Sequence, residues 1–230
     1  MGQIRNLEAT LHWEGLFAYR YSSYEHALRL RQQSLDVIRM LGSQSDLAWR
    51  LFELGEVHRI FWESEKALDL YNQALPMFKR MHMPLALGFD QRARGDLALD
   101  EKHYSNALAH YHEFEAYMRE DNHLWGIAQS QGRIALALAY LGELEQARKE
   151  MSSALARAYE YREDDLALQI LLAEAVCRLQ GENIDETIVL VSFLQHHPGS
   201  WNETKQRAGD ILKSGSHALT PEAVKAVVGF

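Results

Sequence analysis

The segment ALDLYNQAL, residues 67–75, decides the fold, because it recurs in altered form every 40 residues along the chain. Its first residue is Ala67, and the counterparts at this spacing are Ala27, Ala107, Ala147 and Thr187. Twelve residues before each of them lies a second small residue; these are Gly15, Gly55, Gly95, Ala135 and Ala175. A period of roughly 20 to 50 residues indicates a stacked architecture, so five similar units are predicted.

Three further positions in each unit recur with the same period. Counted from Ala67 and its counterparts they lie three before, four after and seven after it, which places them on one stripe of a helix. The three columns are Tyr24, Ser64, Tyr104, Leu144 and Ile184; Arg31, Tyr71, Tyr111, Met151 and Val191; and Ser34, Ala74, Phe114, Ala154 and Leu194. Antiparallel helices approach closely only where the contacting residues are small. We therefore expect each unit to be a helix pair in which a small residue faces a small residue, and the side chain four positions later fills the wider space beside that contact.

Turn residues separate the predicted helices. Within units they lie at 21–23, 62–64, 101–103, 141–143 and 181–183, and between units at 42–45, 83–84, 121–122 and 163–164. They supply Gly, Pro and N-cap residues. Pro76 falls late in the second helix of unit two, where it predicts a kink or an early end. A single pair cannot bury its outer face, so the pairs are expected to stack.

The pattern of small, aromatic and small residues resembles the tetratricopeptide repeat (TPR) family. The family period is 34 residues, so a period of 40 lengthens each unit by roughly one and a half turns. The resemblance covers about residues 5–197 and implies an all-α fold, a right-handed superhelical α-solenoid of five TPR-like helix pairs plus C-terminal capping helices. The expected units are about 5–43, 44–83, 84–122, 123–162 and 163–199, within an array of residues 1–199. The departures are Arg31, Thr187, Glu14, Arg94 and Glu174, which suggest atypical terminal units.

The tail, residues 200–230, is predicted to hold a capping helix from Trp201 to Lys213 and a short terminal helix from Thr220 to Val228. The run from His197 through Val224 looks similar to the C-terminal ends of regulators in which a STAND-type nucleotide-binding domain precedes such repeats. The chain then resembles the C-terminal TPR region of such signalling ATPases or transcriptional regulators. Because the sequence has no phosphate-binding loop, a nucleotide switch would belong to a partner or to another segment.

Charge and composition narrow the class of partner. The net charge is −8, and an acidic protein gains nothing from counterion release on a phosphate backbone, so nucleic acid is not expected as a direct partner. The single cysteine, Cys177, excludes an internal disulfide, suits a reducing compartment and is expected to pack among apolar neighbours. No secretory signal and no apolar run of about 18 residues is present, which predicts a soluble cytoplasmic protein without membrane contact.

No motif points to catalysis, a metal or a cofactor, so the chain is not expected to be an enzyme. His112-Glu113 begins like the helical zinc motif, but Ala116 stands where the second ligand is needed. His110 points to a different helix face from His112. Acidic pairs such as Asp164-Asp165 lie at helix ends, where carboxylates usually act as caps.

The resemblance places certain first-helix residues on the concave side, as a partner-binding groove. These are His12, Trp13, Tyr19, Arg20, Trp49, Phe52, Glu53, Glu56, Arg59, Phe89, Arg92, Asp96, Asp100, Gln129, Arg133 and Tyr140. Among them we expect exposure for Arg20, Arg59, Arg92 and Arg133, whereas Trp49 and Phe52 suit the core as well as the groove. Some family members grip a C-terminal carboxylate with Lys and Asn; the corresponding positions are His12, Leu16, Phe52, Glu56, Arg92 and Asp96, which do not match.

The leading functional prediction is a non-catalytic scaffold or sensor module that binds a protein or peptide, as part of a signalling or transcription-regulatory system. One alternative is a receptor for a signalling peptide or small ligand. That class usually carries a DNA-binding helix-turn-helix ahead of the repeats, and nothing before Leu7 supplies one. The other alternative is a self-assembling homodimer, formed through apolar residues near Leu7 and Leu11.

Overall fold

A computed structural model describes residues 2–181 and 183–215, and these residues form eleven α-helices and no strand. The helices are α1 Gly2–Tyr21, α2 Tyr24–Leu41, α3 Gln44–Ile60, α4 Ser64–Arg80, α5 Pro84–Asp100, α6 Tyr104–Glu120, α7 Leu124–Leu141, α8 Leu144–Glu160, α9 Asp164–Gln180, α10 Ile184–His196 and α11 Asn202–Gly215. The predicted all-α class and the predicted turns are confirmed. The short helix predicted from Thr220 to Val228 lies outside the described residues.

The chain divides into two compact parts, each larger than a repeat unit; we call them unit 1, Met1–Leu97, and unit 2, Ala98–Phe230. In the first unit α2 packs against α1 and α3, and α3 packs against α4. In the second unit α9 packs against both α7 and α8, which are the two helices of the pair before it. In unit 2 the first helix of the last pair therefore covers both helices of the pair before it. Helix α11 lies against α9 and α10, as a capping helix would; the boundary between array and tail stays a prediction.

The 40-residue period consists of two halves of 20 residues. Six helices are 17 residues long, and three residues join each of them to the next helix. Residues in the left-handed region recur at a spacing of 20; they are Gly42, Trp62, His82, Lys102, Asn122, Gly142 and Arg162. At Lys102 the amide bonds to Leu99 O, and the next amide, His103 N, bonds to Ala98 O. This Schellman pattern ends the helix and reverses the chain in three residues.

Side chains cap only some of the helices. Ser23, Ser43 and His123 accept hydrogen bonds from the first turns of α2, α3 and α7. Of the two effects expected at Pro76, the early end is wrong, because α4 continues to Arg80; the kink stays a prediction. Pro76 and Asn72, the residue whose carbonyl loses its helical partner, both lie on the exposed face of α4, where water can satisfy that carbonyl.

All ten small residues that define the repeat are buried. The columns four and seven residues after Ala67 and its counterparts are buried as well. The packing differs from the expectation in one respect. The ring of Tyr71 lies directly over Gly55 instead of beside the small contact, since a Cβ at Gly55 would lie 2.6 Å from Tyr71 Cε1. Where the first helix has Ala135 or Ala175 instead of Gly, the sequence places a non-aromatic residue, Met151 or Val191, at the position of Tyr71.

The lone thiol is part of this packing. Cys177 is fully buried, and burial raises the pKa of the thiol above its ordinary value. The expectation that Cys177 packs in the core is confirmed. None of the described helices is both long enough and apolar enough to cross a membrane.

The register predicts that a tryptophan at two alanine positions of α6 changes stability by different amounts. Ala107 is fully buried and Ala109, two residues later, is exposed. We expect Ala107→Trp to lower the free energy of unfolding by about 3 kcal/mol, because the indole overpacks the helix contact, and Ala109→Trp to leave it nearly unchanged. Urea unfolding of the two variants measures the difference; equal effects would contradict the register.

The left-handed turns predict a second pair of opposite effects. Gly142 has φ of 83° and open space around its missing Cβ, so Gly142→Ala tests backbone strain alone. It should destabilise the fold by about 1 kcal/mol. Lys102→Gly, at φ 64°, should stabilise it by about 0.5 kcal/mol. Thermal unfolding decides this, and a Gly142→Ala variant as stable as the parent would refute the strain argument.

Candidate protein-binding surface

Helices α1, α2 and α3 of unit 1 carry a buried ionic group that we call the Glu53 cluster. It is formed by Glu8, His12, Arg31, Ser34, Arg50 and Glu53. Arg31 Nη1 donates to Glu53 Oε2 at 2.7 Å, and Arg50 Nη1 donates to the same oxygen at 3.0 Å. Arg50 Nε donates to Glu8 Oε1 at 2.7 Å, and Ser34 Oγ donates to that oxygen at 2.9 Å. These bonds join α1, α2 and α3.

His12 Nδ1 lies close to two members of the Glu53 cluster. It is 2.9 Å from Arg31 Nη1 and 3.4 Å from Glu53 Oε2. An imidazole nitrogen can accept from a guanidinium or, when it carries a proton, donate to a carboxylate, so His12 suits either neighbour.

A second group, the Glu56 cluster, comprises Glu56, Arg59, Tyr71, Arg92 and Asp96. Arg92 bridges two carboxylates, with 2.6 Å from Nη2 to Glu56 Oε2 and 2.7 Å from Nη1 to Asp96 Oδ2. Tyr71 donates its hydroxyl to Glu56 Oε1 at 2.5 Å, and Arg59 Nε lies 3.7 Å from the same oxygen. The Glu56 cluster joins α3, α4 and α5, and α3 contributes to both clusters.

Each cluster balances its formal charge, with two arginines against two carboxylates. Burial raises the pKa of the Glu53 carboxyl, but the nearby Arg31 and Arg50 outweigh it, so the pKa is lowered overall. Burial and the adjacent Glu56 carboxylate raise the pKa of Tyr71 well above its ordinary value. Glu56 and Asp96 outweigh burial at Arg92 and raise its pKa. Balanced, hydrogen-bonded groups of this kind offset the cost of taking charges out of water.

An aromatic group lies beside the two clusters. Trp49 packs at ring-centroid distances of 5.2 Å from Phe78, 5.8 Å from Phe52 and 6.2 Å from Phe89. Phe52 and Phe78 are buried, whereas Trp49 and Phe89 are half-buried. The guanidinium of Arg92 lies 5.9 Å from the centre of the Phe89 ring. The accessible part of this surface therefore presents two aromatic edges and an arginine.

The groove residues predicted in unit 2, Gln129, Arg133 and Tyr140, belong to neither cluster. Tyr140 stacks on Tyr104 with ring centroids 4.7 Å apart and planes at 4°, and burial raises the pKa of Tyr140 to about 12. Arg133 is buried, 3.7 Å from Glu203 Oε1 on α11. Gln129 is buried and lines a small cleft between α7 and α9, whose other lining residues include Gln169.

The expected exposure of the arginines is wrong. Arg59 is only 2% exposed and Arg133 only 5%, and both Arg20 and Arg92 are half-buried. Carboxylates of the same or neighbouring helices lie close to Arg59, Arg92 and Arg133, and a one-dimensional pattern does not show which helices meet. Among the aromatic groove residues, Phe52 belongs to the core, while Trp13 is 64% exposed. Tyr19 is half-buried, with its ring centroid 5.7 Å from that of Tyr24.

Several members of the site were not predicted. Glu8, Ser34 and Arg50 were missed, although they complete the Glu53 cluster. One signal was available for Arg31, since it stands in the column that otherwise holds Tyr, Met and Val, all of which are buried. A charge in a buried column indicates a buried partner of opposite sign. Asp90 is likewise a buried charge, and its partner of opposite sign is Arg94, whose Nε lies 2.7 Å from Asp90 Oδ2.

The chemistry of the two clusters is that of charge-assisted hydrogen bonding. A lowered pKa keeps Glu53 ionised, which suits binding and is the opposite of what a general acid needs. Among residues 2–181 and 183–215 no group of three or more His, Cys, Asp or Glu side chains is arranged to hold a metal ion.

Stability should depend on pH through Glu53. Because its pKa is lowered in the folded protein, Glu53 contributes stability that is present above the ordinary glutamate pKa of about 4.3 and is lost as the pH falls through the lower folded value. Glu53→Gln leaves Arg31 and Arg50 without this carboxylate and should lower the free energy of unfolding by about 3 kcal/mol at pH 7.

Urea unfolding at about pH 7 and about pH 3 tests this, and the difference between parent and Glu53→Gln should narrow at the lower pH. The control is Asp36→Asn, which removes an exposed carboxylate 3.5 Å from Arg39 and should change little at either pH. A cost for Glu53→Gln that is the same at both values would contradict the assignment.

Comparison with known proteins gives a likeness of fold. No family model matches the sequence, and no curated protein is significantly similar to it. Among solved structures the chain is similar to a Rap protein crystallised in complex with Competence and Sporulation Factor, with a TM-score of 0.67 and 15% identity over 94% of this chain. The chain spans 66% of the length of that Rap chain. At this identity the likeness shows the fold alone, which is a TPR-like helical repeat.

Proposed function

We propose that the protein is a non-catalytic interaction module that binds a protein or peptide segment on the first-helix surface of unit 1. The observation that carries the proposal is the half-buried pair of Trp49 and Phe89, whose ring centroids lie 6.2 Å apart, with the guanidinium of Arg92 5.9 Å from the Phe89 ring centre. Tryptophan, tyrosine and arginine dominate binding hot spots, because they combine a large apolar area with directional hydrogen bonds.

The Glu56 cluster makes this set suitable for recognition. Arg92 is held between Glu56 and Asp96, so it loses little rotamer freedom when a partner approaches. Trp49 rests on the buried Phe52 and Phe78, which fix its orientation. A partner with an apolar side chain for the two rings and a carbonyl or carboxylate for Arg92 would match this surface.

A receptor for a signalling peptide is the second candidate, and one observation in unit 2 favours it. Gln129 and Gln169 occupy equivalent positions of α7 and α9 and line the same cleft. Gln129 Oε1 is buried and has no hydrogen-bond partner among the residues that the structure describes. A side-chain amide offers one acceptor and two donors, and the cleft of about 10 Å³ has room for no more than about one water, so a peptide backbone would reach these amides only after the cleft opens. The Rap protein was solved in complex with a factor, which supports either candidate only by likeness of fold.

The wider role proposed for this module is a sensor or scaffold in a signalling or transcription-regulatory system, and the resemblance of the tail to STAND-type regulators supports it. The same binding surface would serve that role, since such regions report the presence of a partner to a separate domain.

Site-specific photocrosslinking in cells tests the binding surface. A benzoyl-phenylalanine residue at position 89 should capture a discrete partner, and the same residue at position 68 should not. Leu68 is a matched control, since it lies in unit 1 on α4 and is 38% exposed. With the captured partner in hand, Phe89→Ala should weaken affinity about tenfold, and Leu68→Ala should leave it unchanged.

Equal capture at positions 89 and 68, or none at 89, would count against the proposed surface. Far-UV circular dichroism of Phe89→Ala separates lost binding from lost folding. If position 129 captures a peptide while position 89 captures nothing, the receptor candidate in unit 2 replaces the first.

A further inference from the structure

Helix α11 binds the first-helix surface of unit 2, which is formed by α7, α9 and the end of α5. Arg207 of α11 pairs with Asp100 of α5, with 2.8 Å between Nη1 and Oδ1. Glu203, one turn before Arg207, accepts a hydrogen bond from Arg207 Nε at 3.0 Å, and the same Oε1 atom lies 3.7 Å from Nη2 of Arg133 on α7. These four side chains form one ionic chain that ties α11 to α5 and α7.

The reach of α11 is longer than stacking alone requires. Helix α9 packs against α7 and α8, the pair directly before it, and α11 packs in the same way against α9 and α10. The side chains of α11 also contact α7 and α5, which belong to the two pairs before that. A helix that only caps the end of a stack needs no such contacts. Helix α11 therefore also covers groove residues predicted from the sequence, among them Asp100 and Arg133.

The surface under α11 is not fully satisfied by it. Arg133, which lies beside Glu203, also lines the small cleft between α7 and α9. Gln129 lines the same cleft and is only 4% exposed, and its Oε1 has no hydrogen-bond partner within residues 2–181 and 183–215. A buried amide oxygen without a donor costs free energy, so a ligand that supplies the donor gains affinity. Helix α11 thus pairs the charges of this surface and leaves its amide oxygen unpaired.

The contacts of α11 with α5 and α7 are of an exchangeable kind. They are ion pairs between side chains, and another chain that presents one carboxylate and one cation can re-form them. The helix pairs, in contrast, are held by buried apolar residues that no partner replaces. A tethered helix competes at a roughly millimolar effective concentration, so a partner with micromolar affinity for the open groove can displace it.

We propose that α11 is a displaceable occupant of the unit 2 groove, and that a peptide segment with one acidic and one basic side chain takes its place. The acidic side chain replaces Glu203 at Arg133, and the basic side chain replaces Arg207 at Asp100. An N–H group of the peptide donates to Gln129 Oε1 once the cleft opens. This inference rests on the receptor candidate in unit 2 and is independent of the surface proposed in unit 1.

Hydrogen exchange of the full chain tests whether α11 opens by itself. Arg207→Ala removes the guanidinium that ties α11 to α5, and Asp100→Asn removes its charged partner. Each variant should speed amide exchange in α11 about tenfold and leave exchange in α8 as it is in the parent. Lys213→Ala is the matched control, because Lys213 is an exposed cation on α11, 3.0 Å from Asp210 of the same helix, and should change little. Circular dichroism checks that all three variants keep their helix content.

A synthetic peptide of residues 200–215, labelled with fluorescein, tests the groove. It should bind Arg207→Ala about tenfold more tightly than it binds the parent, because a looser α11 leaves the groove open for a larger fraction of the time. The same peptide with the glutamate at position 203 and the arginine at position 207 exchanged has an identical composition. It should not bind, since each charge would then meet its like.

Three results would overturn the proposal. The first is exchange in α11 that stays slow in both variants or speeds up only together with α8, because α11 would then be an integral part of the fold. The second is equal affinity of the peptide for the parent and for Arg207→Ala, and the third is equal binding of the two peptides. If position 129 captures no peptide in cells, only the receptor candidate fails, because these measurements use the purified chain and the synthetic peptide alone.

Discussion

The contact between the ring of Tyr71 and Gly55 is the constraint on which the helix pairs depend. The two helices come close because the first has no side chain at that point, and the second places a flat ring there. Ala67 supplies the neighbouring small contact, with its carbonyl oxygen 3.3 Å from where a Gly55 Cβ would be. Every later feature follows from this close approach, because it brings polar groups of adjacent helices within hydrogen-bonding distance.

The same close approach explains why charges are buried in unit 1. Tyr71 covers Gly55 with its ring and reaches Glu56 with its hydroxyl, so one side chain takes part in both the packing and the Glu56 cluster. In the first repeat Arg31 takes the place of this tyrosine and reaches Glu53 on α3. The packing position is thus retained while its chemistry changes, and ionic bonds link the first pair to the second and the second pair to the third.

Stacking requires that each pair cover the one before it, and the side chains on the covered face differ from repeat to repeat. In the later repeats it is buried and mixed, with Val57, Ala137 and Cys177 at one position. In the first repeat Phe17 stands at this position and is 63% exposed. The left-handed residues recur at a spacing of 20, so the turns between helices are evenly spaced along the chain.

The sequence by itself determined the fold class, the helix boundaries and the identity of the buried small residues, because those properties repeat with a fixed period in one dimension. It also indicated that Cys177 packs. It did not reveal that Arg59 and Arg133 are buried, nor that Glu8 and Arg50 join the site, since a charge is covered only when a carboxylate on the same or another helix lies opposite. Only the tertiary structure decided which residues remain accessible, because burial depends on which helix faces meet and periodicity describes each helix alone.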